Sequence, residues 1–197
     1  MPPTGNIRLV FMRDGHADAL DTDALVGRSA VEVFKMEYIM PNDISKADIA
    51  LDIQNFMARF WNDVEKNEGR RSGEYFAKDA IFDAKLVCFN GRDQICDWYR
   101  WRERAERVSR HLITNCLFDF AAFEGSGEVE VRAVMTHFGA DGKGVHPTAP
   151  PIAIYDYVMR LQRGGGHGWT IVHLETDPVF LSPDHVALRY PAEKGHK

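Results

Sequence analysis

Between His111 and Leu181 the chain carries four strand-like runs: His111 to Phe120, Glu128 to Phe138, Ile152 to Leu161 and Trp169 to Leu181. Turn-forming segments divide them: Glu124-Gly125-Ser126-Gly127, the loop Gly139 to Pro151, and the glycine-rich stretch Arg163 to Gly168. Runs of this length joined by Gly- and Pro-rich turns read as hairpin-linked strands. Helical signals come first. Ser45 with Asp48 three residues on resembles a capping box, and Ile49, Ile53, Phe56, Met57, Phe60, Trp61 and Val64 follow at i+3/i+4 spacing on one face. Asn67-Glu68-Gly69 is a normal helix exit. A short second helix is expected over Arg71 to Phe76, a strand over Ala80 to Phe89 ending in the turn Asn90-Gly91, and a third helix over Arg92 to Glu106. On that third helix Ile95, Trp98, Tyr99 and Arg102 share a side. Helices followed by hairpin-linked strands predict an α+β domain with an antiparallel sheet.

The rest of the chain sets the boundaries. Residues 1–44 have no sustained period, apart from a possible short strand at Ile7 to Phe11 and the apolar stretch Val31 to Met40, and are read as an N-terminal arm. Residues 45–181 form the domain, and 182–197, polar with two prolines, are read as a C-terminal tail. Hydrophobic residues make up 45% and charged residues 27%, the balance of an ordinary globular core. The net charge of −5 argues against nucleic acid or an anionic membrane as partner. No stretch approaches the ~20 apolar residues of a membrane span. Met1-Pro2-Pro3-Thr4-Gly5 has neither a basic flank nor an apolar run, so no export is expected. Cys88, Cys96 and Cys116 are scattered, with no metal spacing, and read as reduced thiols of a cytoplasmic protein.

The run from His111 is the most informative for function. Strict alternation puts Leu112, Thr114, Cys116, Phe118 and Phe120 on one face and His111, Ile113, Asn115, Leu117 and Asp119 on the other. A face mixing apolar residues with His and Asn suits a ligand cavity, although a histidine at a strand start also reads as a structural residue. By spacing alone Glu65, which borders the apolar stripe one turn beyond Trp61, reads as a solvated helix-end residue, and Asp63, Lys66 and Glu68 as surface charges. His173, Glu175 and Asp177 alternate on one strand face, but no helical HxxxH or HxxE cluster accompanies them, so no metal is expected there. The six arginines of residues 92–110 interleave with Asp93, Asp97, Glu103 and Glu106, which reads as a solvated face. The chain has no nucleophile elbow, Walker loop or dinucleotide fingerprint, and no cofactor is implied.

The chain resembles the nuclear transport factor 2-like superfamily, and within it the SnoaL-like proteins, over roughly Ser45 to Leu181. The residues that carry the resemblance are the amphipathic helix 49–64, Tyr75-Phe76-Ala77-Lys78-Asp79-Ala80 and Asn90-Gly91-Arg92-Asp93-Gln94-Ile95. Arg110-His111-Leu112-Ile113-Thr114-Asn115 and Gly168-Trp169-Thr170-Ile171 complete the set. The resemblance implies a cone-shaped roll of curved antiparallel sheet that encloses a pocket with the leading helices. The family includes dehydratases, a dehydrochlorinase, isomerases, polyketide cyclases, lyases of lignin-derived dimers and non-catalytic members. In the dehydratase and dehydrochlorinase branch a His in a His-x-x-Thr-Asn setting pairs with a carboxylate on the first helix. His111 fits the first half, and the carboxylate position, fifteen residues before Ala80, holds Glu65 in place of the usual Asp.

The expected catalytic residues are therefore His111 and Glu65. Phe60 stands where some dehydratases place Tyr, so an acid would have to come from Tyr155, Tyr157 or Tyr99. The substrate-binding set is Phe60, Trp61, Phe82, Tyr99, Asn115, Tyr155 and Tyr157, with Phe56 as a further wall. The resemblance implies a cofactor-independent lyase acting by dehydration, dehydrohalogenation or formaldehyde release on a small aromatic compound. An isomerase or cyclase with the same dyad, and a non-catalytic binding protein, are the alternatives. Sheets of this family commonly pair, and Val31 to Met40 is too apolar to stand in water, so a homodimer is expected.

Overall fold

The computed structural model describes residues 11–13, 16–18, 45–104, 106–183 and 185–190. Strands β1 (Phe11–Arg13) and β2 (His16–Asp18) pair with each other in a small antiparallel ladder. The rest of the expected arm, including Val31 to Met40, lies outside the described residues.

Helix α1 (Lys46–Lys66) begins at Ser45, whose hydroxyl accepts the Asp48 amide while the Asp48 carboxylate accepts the Ser45 amide. This reciprocal cap fixes the helix start. The stripe Ile49, Ile53, Phe56, Met57, Phe60, Trp61 and Val64 is buried throughout. The helix is tied to the sheet by Trp169, whose indole Nε1 donates to Asp52 Oδ2 at 2.8 Å. Its exit is set by Asp63, which is buried and not the surface charge expected. One Asp63 oxygen accepts Asn67 Nδ2 at 2.9 Å and the other accepts the Arg71 amide at 3.2 Å. The turn that follows needs Gly69, at φ +76°, because a Cβ there would overlap the Tyr99 ring.

A 3-10 turn (Ser72–Tyr75) leads into β3 (Phe76–Asp83) and β4 (Cys88–Asn90). The single strand expected over Ala80 to Phe89 is thus a hairpin, with Ala84 to Val87 as its turn. Helix α2 (Arg92–Arg104) buries Ile95, Trp98 and Tyr99. Then come β5 (Arg107–Asp119), the one-turn helix α3 (Phe123–Ser126), β6 (Glu128–Asp141), β7 (Ala153–Arg163) and β8 (Trp169–Leu181). The six strands β3 to β8 form one sheet in the order β4-β3-β8-β7-β6-β5, antiparallel except for the parallel β3–β8 ladder. The sheet is curved and unclosed, and the fold is α+β. Along β6, Val129, Val131, Ala133, Met135 and His137 are all buried; along β7, Ala153, Tyr155, Tyr157, Met159 and Leu161 are. These alternate positions form the sheet's inner face.

Two features depart from strict alternation. On β5 the pairing with β6 slips between Thr114 and Leu117, where Asn115 takes φ +55°. That bulge turns the strand over. Ser109, His111 and Ile113 face inward before it, and Cys116 and Phe118 after it, so no single face holds the expected set. Within the expected C-terminal tail, residues 185–190 form a 3-10 turn and its exit that pack on the domain. His185, Ala187 and Tyr190 are buried, and Tyr190 packs edge-on against Phe89, Trp98 and Trp101.

Candidate active site

The last turn of α1 and the start of β5 bring Glu65 and His111 together. Glu65 Oε1 accepts the backbone amide of His111 and lies 3.4 Å from His111 Nδ1. That second approach is not aligned as a hydrogen bond. Catalytic hydrogen bonds are often long before substrate arrives. Behind the carboxylate, Arg110 Nε stands 3.9 Å from Oε2. The His111 ring is clamped between two planes: Trp61 at 4.3 Å and His137 at 4.2 Å between ring centroids. His137 reaches this place because β6 pairs it directly with His111.

The polar chain continues beyond His137. His137 Nδ1 lies 3.3 Å from His185 Nε2, and that nitrogen lies 2.6 Å from the Tyr155 hydroxyl. On the α2 side, Arg102 Nη2 donates to Ser109 Oγ at 2.6 Å. His137, His185, Arg102 and Ser109 were not picked out as site residues from the sequence. His137 could have been found, since it continues the Val129-Val131-Ala133-Met135 alternation. Arg102 could also have been found, from the face it shares with Ile95, Trp98 and Tyr99. Nothing in the sequence marked His185, whose segment reads as a polar tail.

Burial dominates the electrostatics. It pushes the His111 imidazole down to about 4; Glu65 opposes the shift, and Arg102 and Arg110 add to it. Burial likewise lowers His185 to about 4 and carries His137 well below the usual imidazole range, with neighbouring cations and histidines adding to both. Burial works to raise the Glu65 carboxyl, but the His111 donors facing it, with Arg110 behind, outweigh that effect and leave it lowered. At neutral pH the cluster therefore holds a carboxylate beside a neutral imidazole. Such a pair can take a proton on the ring nitrogen turned away from Glu65.

Of the residues expected to line the site, Trp61 and Tyr155 stand in or beside this cluster. Tyr157 lies 6.2 Å from Trp61 between ring centroids, and its hydroxyl meets Met159 Sδ at 3.5 Å. Phe60 is fully buried beneath Trp61, against Tyr75 and Phe76. Tyr99 faces Gly69 and Ser72 at the foot of α2. Phe82 stands on β3, four strands from β5 in the sheet order, with its ring on Phe89. Asn115 is exposed at the bulge. Burial raises all three tyrosine hydroxyls, and among them Tyr155 is the one bonded into the histidine chain.

His173, Glu175 and Asp177 project from the opposite face of β8 to the buried Leu174 and Thr176. Lys85 Nζ holds Glu175 at 2.7 Å. Among the described residues no group of three or more His, Cys, Asp or Glu side chains is arranged to hold a metal ion. A half-open cavity of about 300 Å³ between the 3-10 turn and α2, lined by Arg70, Cys96, Tyr99 and Glu103 among others, touches neither Glu65 nor His111. No described helix is long and apolar enough to cross a membrane.

A helix-led, curved and unclosed sheet with this strand order is the nuclear transport factor 2-like fold. The SnoaL-like domain family matches residues 46–175, and the chain belongs to that family. Among solved structures it is similar to a candidate scytalone dehydratase from Novosphingobium aromaticivorans, with a TM-score of 0.59 at 18% identity over 70% of this chain and 89% of the other. A candidate aromatic ring hydroxylase from the same organism superposes with a TM-score of 0.55 at 19% identity, covering 69% of this chain and 92% of that one. ActVI-ORFA from Streptomyces coelicolor does so with a TM-score of 0.55 at 11% identity, over 66% and 97%. At these identities the likeness is one of fold. Comparison with curated proteins gives no match.

Proposed function

We propose that the protein is a cofactor-independent lyase that removes a small molecule, water, halide or formaldehyde, from a hydrophobic aromatic compound. His111 acts as the base, Glu65 orients it, and Trp61 forms the aromatic wall. The observation that carries the reading is the placement of Glu65 against Nδ1 of a buried histidine held between Trp61 and His137. A neutral imidazole abstracts a proton, and the carboxylate beside it stabilises the imidazolium that forms. The surrounding aromatic shell strengthens that interaction by excluding water. Tyr155, whose hydroxyl is bonded to His185, is the group assigned to return a proton. Chemistry of this kind needs a proton carrier and an apolar surround; the buried His111 and the aromatic ring of Trp61 stacked on it support the reading. A homodimer remains part of the proposal.

The test is a mass-spectrometric screen of lignin-type and polyketide-type aromatics incubated with the intact protein. The expected result is a compound that loses the mass of water, hydrogen halide or formaldehyde with wild type and not with His111→Ala. A product isomeric with its substrate would assign the same dyad to an isomerase or cyclase instead. Binding without turnover across the panel would make the protein a carrier.

A further inference from the structure

Arg102 lies in the last turn of α2 with its guanidinium turned toward the sheet, where Nη2 donates to Ser109 Oγ at 2.6 Å. Among the described residues that neutral hydroxyl is its hydrogen-bond partner, and no described carboxylate forms an ion pair with it. The groups that feel its charge are Tyr99, Tyr155, Glu65, His111, His137 and His185, with Arg107 as a second cation. Glu65 is the one carboxylate among them, and it is engaged with the His111 amide. The Arg107 side chain is only 5% exposed and is paired with Asp141 at 2.6 Å. In the same cluster His137 Nε2 is buried without a hydrogen-bond partner, as is His111 Nδ1, which Glu65 Oε1 approaches to 3.4 Å.

This arrangement is incomplete by ordinary electrostatic accounting. A cation taken out of water needs a counter-charge close by. A guanidinium offers five donors in a planar fork matched to an oxyanion, and here one hydroxyl uses part of it. The unpartnered imidazole nitrogen lies in the same cluster, and a substrate with polar oxygen as well as an apolar body would satisfy it together with the guanidinium.

We propose that Arg102 binds a negatively charged oxygen of the substrate, a carboxylate or phenolate carried on its aromatic ring. The proposal rests on the reading of the cluster as a substrate site and specifies which aromatic compounds it accepts. It also orients them: with the anion at Arg102, the apolar body lies along Trp61 and presents its reactive carbon to His111.

The test uses two pairs of unreactive probes titrated into the intact chain and followed by tryptophan fluorescence or calorimetry. One pair is benzoate and neutral benzamide; the other is 4-nitrophenolate, at a pH where it is ionised, and nitrobenzene. Charge-assisted hydrogen bonding predicts that at least one anion binds about 10- to 100-fold more tightly than its neutral partner. The pair that shows the preference identifies the oxyanion. Arg102→Gln should remove the preference while changing affinity for the neutral probe by about twofold or less. If that variant fails to fold, Arg102→Lys gives the same reading, because it keeps the charge but loses the fork, and the preference should shrink several-fold. Equal binding within both pairs by wild type overturns the proposal, and so does a preference that survives undiminished in the variants. His111→Ala should keep the preference even as it loses turnover, so failure of the anion site and failure of the lyase reading give different results.

Discussion

His111→Ala is expected to lower turnover by the ~10²–10⁴-fold that follows loss of a general base. The apparent affinity for substrate should change far less, because Trp61 and Tyr155 remain in place. Glu65→Gln tests the other half of the dyad. The amide oxygen can still accept the His111 backbone N–H, so the strand stays anchored to the helix. The charge that steadies the imidazolium is gone, and turnover should fall in the same direction. Because the two side chains act as a unit, the double variant should be little worse than the worse single one. Additive losses would mean that Glu65 and His111 serve separate roles. Near-wild-type turnover by His111→Ala would remove the dyad from the mechanism altogether.

Acid lability is the second large effect, and it concerns stability. His111 and His185 are each lowered from 6.5 to about 4 in the folded protein, and His137 is lowered well below 6.5. The unfolded chain therefore binds more protons than the folded one below about pH 6.5. The stability that neutral, buried imidazoles preserve is fully present above that pH and is lost as pH falls toward 4. At pH 4.5 the His111 shift alone corresponds to roughly 2–3 kcal/mol, against a typical total of roughly 5–15 kcal/mol. Glu65, lowered from 4.5, extends the loss at still lower pH. The urea midpoint should drop steeply between pH 7 and 4.5, and His111→Leu should flatten that drop. A midpoint independent of pH over this range would show that the three histidines already carry protons when folded.

Helix α1 was the most legible element, since its stripe has to be buried somewhere and the Ser45 and Asp48 side chains mark its start. β8 was read with its bounds as they stand, because Gly168 and the apolar run after it leave little choice. Legibility fails where one residue reverses a pattern. Strict alternation assumes a regular pleat, and the bulge at Asn115 exchanges the faces of β5, so Asn115 leaves the inner face while Cys116 and Phe118 join it. It fails again where a polar residue is buried for a local reason. Asp63 looked like a surface charge because nothing in its spacing reveals the amides of Asn67 and Arg71 that its carboxylate satisfies. Within the site, the Glu65 and His111 contact came from family likeness, because forty-five residues of intervening chain leave no local signature of it. The clamp of His137 on His111 depends on strand register, and the contribution of His185 depends on a segment that composition alone assigns to solvent.

The central claim is that burial holds His111 neutral while Glu65 keeps its proton on Nδ1, leaving Nε2 as the base. Nitrogen-15 chemical shifts of the His111 ring, assigned by comparison with His111→Ala and recorded at pH 7, test it most directly. The account predicts a neutral ring with Nδ1 protonated and Nε2 bare, and Glu65→Gln should weaken that tautomer preference. An imidazolium at pH 7, or a neutral ring protonated on Nε2, would contradict it.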